Sequence, residues 1–87
     1  MADLFKKRWE EGLKYHNSNP EKALDYYLKA VKVLKNNCKD PYIFADIAEC
    51  YCFLENYNNC EKYYNLAEAN NLISTHSRRS EYSYNNF

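Results

Sequence analysis

The side chains able to do chemistry in this 87-residue chain are four cysteines (Cys38, Cys50, Cys52, Cys60), two histidines (His16, His76) and twelve carboxylates. A zinc site needs Cys or His ligands that converge at short, repeated spacings. Cys50 and Cys52 are the one close pair. Two steps along a helix turn a side chain about 200° round the axis, so these two point to different faces. There is no Cys-x-x-Cys pair, and the cysteines read as structural residues, with Cys60 at a small core position. His16 and His76 are far apart, and neither neighbours a serine or cysteine in a nucleophile motif. His16, near a helix end, reads as a partner of the C-terminal helix dipole. The carboxylates alternate with lysines along helix faces, as on solvated surface. The one glycine leaves no Gly-rich loop to cradle a phosphate. The expectation is a chain with no catalytic residues, no metal and no cofactor.

The elements that would position these groups are helices. Charged residues are 28% and hydrophobics 46%, the balance of a folded domain. Both prolines follow a capping residue, Asn19 before Pro20 and Asp40 before Pro41, which marks two helix starts. From Asp40 onward Phe44, Ile47, Ala48 and Tyr51 recur at spacings of three and four, one face of a helix. The polar run ENYNN over 55–59 interrupts the pattern, and a second stripe follows with Cys60, Tyr64 and Ala67. Residues 3–16 read as an earlier helix bearing Phe5, Trp9, Gly12, Leu13 and either Tyr15 or His16 on its apolar side. Gly12 costs about 1 kcal/mol inside a helix relative to alanine, which argues for close approach of another backbone there. Residues 21–34 continue without a breaker, with Ala23, Tyr27, Ala30, Val31 and Leu34 apolar and Lys22, Asp25, Lys29, Lys32 and Lys35 polar. Two short amphipathic helices joined by a tight turn make an αα-hairpin, and the chain reads as two of them.

The spacing is more specific than that. Phe44, Ile47, Ala48, Tyr51, Tyr57, Cys60, Tyr64 and Ala67 closely resemble one tetratricopeptide (TPR) repeat, with small residues where two helices approach and aromatics beside them. Ala23, Tyr27 and Ala30 match the second helix of a preceding repeat, 37 residues before Cys60, Tyr64 and Ala67, with about three extra residues in the NNCK connection at 36–39. The resemblance implies an all-α fold of two antiparallel helix hairpins stacked as a short right-handed array. Repeat 1 spans about 5–35 and repeat 2 about 40–71, within a domain of 1–72. Residues 73–87 read either as a C-terminal capping helix or as a disordered tail. Two repeats are few, since stacked repeats bury a core only with neighbours, so the tail, a second copy or a partner must cover the last face.

By the same resemblance the function is non-catalytic protein–protein interaction, a small adaptor or co-chaperone-like module with a peptide or partner helix in its concave groove. The family's groove positions fall on Lys6, Trp9, Leu13 and His16 in the first repeat and on Tyr42, Ala45, Glu49, Cys52 and Phe53 in the second. Trp9, Leu13, Tyr42 and Phe53 would form an apolar strip of the kind that carries binding energy. The Lys and Asn clamp for a C-terminal carboxylate is missing. Trp9 and Leu13 stand in place of its Lys and Asn, and Glu49 replaces its second Asn.

Net charge is zero but unevenly placed. Residues 1–39 hold nine Lys/Arg against five Asp/Glu, and 40–72 hold one against six. No basic cluster is interleaved with aromatics along the sequence, so nucleic acid is not an expected partner. The bipolar distribution makes a self-assembling homo-oligomer, basic half against acidic half, the alternative reading. A small metal protein or enzyme is the third. No apolar run approaches the roughly 18 residues of a membrane span, and the first residues, MADLFKKRWEEG, lack the apolar stretch of a signal peptide. A cytoplasmic location follows as the expectation, and with it four reduced thiols.

Overall fold

Each of the last three helices starts where a side chain can accept the backbone N–H groups that a helix leaves unpaired. In the computed structural model, which describes residues 2–70, α1 spans Ala2–Tyr15, α2 Pro20–Val33, α3 Pro41–Phe53 and α4 Tyr57–Ala69. A one-turn 3₁₀ segment, Lys35–Asn37, lies between α2 and α3, and no strand occurs among the described residues. Asn19 accepts from the Lys22 amide at 3.2 Å, and Asp40 accepts from Tyr42 and Ile43 at 2.9 and 3.4 Å. Asn56 caps α4 through the Asn59 amide at 3.3 Å. The interruption expected over 55–59 is therefore shorter: Tyr57, Asn58 and Asn59 form the first turn of α4, because Asn56 supplies the cap.

The turn after α3 is a Schellman motif. Glu55 N–H donates to Cys52 C=O at 3.0 Å and Asn56 N–H to Tyr51 C=O at 2.8 Å. This closure needs a left-handed residue, and Glu55 takes it at φ 62°. Lys35, just after α2, does the same at φ 56°.

The architecture is two antiparallel hairpins, α1 with α2 and α3 with α4, joined by packing of α2 on α3. The two triads related by 37 residues, Ala23/Tyr27/Ala30 and Cys60/Tyr64/Ala67, are all buried in one core with Ile43, Phe44, Ile47, Ala48 and Cys50. Gly12 answers to the predicted close approach. A Cβ there would meet the Tyr27 ring at 2.5 Å and the Ala23 carbonyl at 3.1 Å, so α1 reaches α2 only because position 12 has no side chain. The reading of 73–87 as capping helix or tail falls outside the described residues.

Candidate functional site

α1 and α3 share one surface, and two side-chain bridges hold them together. On α1, Trp9 and Leu13, with His16 just past its end, recur at spacings of four and three. On α3, Tyr42, Asp46, Glu49 and Phe53 recur at four, three and four. The Trp9 indole N–H donates to Asp46 Oδ2 at 2.8 Å. One turn further along α3 lies the second bridge. His16 Nε2 lies 2.5 Å from Glu49 Oε1, and His16 Nδ1 lies 2.8 Å from the Tyr27 hydroxyl of α2. His16 therefore ties three helices at one point. Its ring also meets Phe53 edge-on, centroids 5.9 Å apart.

His16 is buried. The Cys50 sulfur, 3.8 Å from Nδ1, and the Glu49 carboxylate hold it protonated against the opposing cost of burial, with its pKa pushed up to about 10. As an imidazolium it donates from both ring nitrogens, to Tyr27 and to Glu49. Burial, helped by the nearby Asp46 carboxylate, raises the Tyr27 hydroxyl far above the usual tyrosine range, so it stays neutral. The expectation that His16 serves the α1 dipole is replaced by this bridge.

Cys50, His16 and Glu49 stand in the order nucleophile, base and orienting acid. The Cys50 side chain is 0% exposed, however, so no substrate reaches its sulfur in this arrangement. Among the described residues no three His, Cys, Asp or Glu side chains are placed to hold a metal ion. No helix among them is long and apolar enough to cross a membrane.

The thiols differ from expectation. Cys52, in the last turn of α3, is joined by a disulfide to Cys60, in the first turn of α4, with Cα atoms 5.4 Å apart. That separation lies in the range a disulfide spans, and the tight turn between the helices produces it. Cys38 and Cys50 are buried free thiols. Cys52 therefore leaves the set of candidate binding side chains, and the expectation of four reduced thiols is corrected for this pair.

The remaining candidate residues separate by accessibility. Trp9 is half-buried with its N–H engaged, Ala45 is buried, and Glu49 is turned to His16. Lys6 is exposed, and so are Leu13 at 49%, Tyr42 at 58% and Phe53 at 50%. Three large apolar side chains thus stand in solvent on the surface that α1 and α3 share, with Leu54 and Tyr57 exposed at the adjoining turn. Asp46 was not among the candidates, although its place four residues after Tyr42 and three before Glu49 puts it on the same stripe. The chain matches no protein-family model, no curated protein and no solved structure with which it was compared.

Proposed function

We propose that the chain is a TPR-like, non-catalytic interaction module that holds a peptide or partner helix on the α1/α3 surface. The exposed strip of Leu13, Tyr42 and Phe53 carries this reading, because isolated apolar residues are ordinary whereas three on one shared face form a surface for apolar contact. The two-hairpin architecture, the buried 37-residue pseudo-repeat and the close approach at Gly12 support the TPR-like part.

The bridges also say what such a groove would favour. The cationic His16 faces Glu49, and the Trp9 N–H faces Asp46, so both carboxylates of α3 are engaged within the chain. A ligand would meet apolar side chains over polar groups already satisfied. From Tyr42 to Phe53 the strip runs eleven residues along α3, about 16 Å at 1.5 Å per residue. An extended peptide covers that length with about five residues. The proposed ligand is thus a short segment with an apolar anchor near each end.

The test is selection from a random peptide library on the immobilised protein, followed by affinity measurement with Leu13→Ser and Phe53→Ser variants. Loss of at least tenfold in each, with the far-side variant Lys32→Ser unchanged, supports the reading. Binders indifferent to both groove substitutions would place recognition elsewhere and overturn it.

A further inference from the structure

The apolar strip on the α1/α3 surface has two ends along α3. Tyr42 stands in the first turn of α3 and Phe53 is its last helical residue. After a turn of three residues, 54–56, α4 returns antiparallel to α3, and each of the two helices has 13 residues. Ala69 therefore comes back level with Pro41. The chain leaves α4 beside the Tyr42 end of the strip, and residues 71–87 follow from that point.

Those residues carry five large apolar side chains: Leu72, Ile73, Tyr82, Tyr84 and Phe87. Leu72 and Ile73 come two and three residues after Asn70, too close to the exit point to reach Phe53. Tyr82 and Phe87 are five residues apart. Five extended residues cover about 16 Å, which is also the length of the strip from Tyr42 to Phe53. The connection from 71 to 81 reaches up to about 36 Å, enough to cross one helix diameter and place either anchor at either end of the strip. The segment is also chemically suited. YSYNNF over 82–87 has no charged side chain. Asp46 stays charged beneath the strip while its Oδ2 accepts the Trp9 N–H, and Glu49 is answered by His16. A neutral segment brings no unpaired charge onto that surface, and the tyrosines can bury their rings with the hydroxyls left wet.

We propose that residues 82–87 of the same chain occupy the α1/α3 strip, so that the surface masks itself and an outside peptide must displace them. The proposal rests on the reading of this strip as a peptide site and adds its regulation. A segment with two apolar anchors binds weakly, with an affinity on the order of 0.1 mM. A short connection supplies it at an effective concentration of about 1 mM. It then fills the strip about nine-tenths of the time and weakens a competing peptide about tenfold.

The experiment compares the full chain with a full-length Tyr82→Ser/Phe87→Ser variant, both checked for folding by circular dichroism and for mass by sedimentation. Each is titrated with a strip-binding peptide selected from the random library and with a fluorophore-labelled synthetic YSYNNF peptide. The double variant should bind both peptides about tenfold more tightly than wild type. Adding Phe53→Ser to it should weaken the YSYNNF peptide at least tenfold. Equal affinity of the selected peptide for the two chains overturns the self-masking and leaves the peptide site standing. A YSYNNF peptide that does not bind, or that ignores Phe53→Ser, also overturns it. So does a wild-type dimer that becomes monomeric in the double variant, because the occupant would then be the segment of a second copy. If the double variant, with its strip unmasked, yields no library peptide that depends on Leu13 and Phe53, the peptide site fails and the self-masking fails with it.

Discussion

Replacing His16 by glutamine keeps a hydrogen-bonding side chain at the three-helix junction and removes the charge. The His16 pKa is about 10 in the fold against 6.5 for the free side chain. A pKa raised on folding means that the native state holds a proton which the unfolded chain releases. The stability from His16 is therefore fully present below pH 6.5 and is lost as pH rises toward 10. A tenfold difference in proton affinity between the two states corresponds to about 1.4 kcal/mol, and integration from pH 7 to pH 9 gives a loss of about 2.5 kcal/mol. That is a large share of the few kcal/mol expected from a core of this size. The assay is urea unfolding followed by Trp9 fluorescence, from pH 6 to pH 9, on wild type and His16→Gln. Wild-type stability falls through this range, the variant is less stable at pH 6, and the gap between the two curves narrows steadily toward pH 9. Groups that do not touch His16 are the same in both proteins and cancel in the difference. Parallel curves would refute the argument, because His16 would then bind its proton equally in folded and unfolded chains.

Three further outcomes are expected. Gly12→Ala gains about 1 kcal/mol of helix propensity but drives a methyl into the buried Tyr27 ring and should destabilise by about 1–2 kcal/mol net, measured by thermal unfolding. Glu55→Gly relieves a left-handed residue at the Schellman closure and should stabilise by about 0.5–1 kcal/mol, read from the urea midpoint. Reducing Cys52–Cys60, eight residues apart, releases a short loop and should cost about 2.5 kcal/mol on the chain-entropy account. A Cys52→Ala/Cys60→Ala variant should then respond to reductant far less than wild type.

Local signals carried the helices well. Asn19, Asp40 and the two prolines placed the starts of α2 and α3, and three-four spacing assigned the core triads, because caps and periodicity act within one or two turns. Gly12 was also readable, since a glycine kept inside a helix at a cost implies a neighbour too close for a methyl. What escaped was long-range pairing. His16 meets Tyr27 and Glu49, eleven and 33 residues away, and periodicity gives the direction of a side chain but not what lies opposite. Cys52 looked like a groove residue for the same reason. Only the tightness of the 54–56 turn brings it to Cys60, and a compartment argument about thiols contains no such geometry.

Opposite charges on the two halves of the chain act at two levels. The basic first half and acidic second half suggest attraction between molecules, yet of the six acids in 40–72, Asp40 caps α3 while Asp46 and Glu49 bind Trp9 and His16. Part of the bipolar pattern thus works inside the chain, where burial strengthens it against salt. His16 neutralises Glu49, and the Trp9 N–H satisfies Asp46 without cancelling its charge, so both carboxylates of α3 are hydrogen-bonded within the chain and discrimination there falls to the exposed apolar side chains. In a salt titration the fold, and any apolar ligand held between Leu13, Tyr42 and Phe53, should be little affected as screening rises.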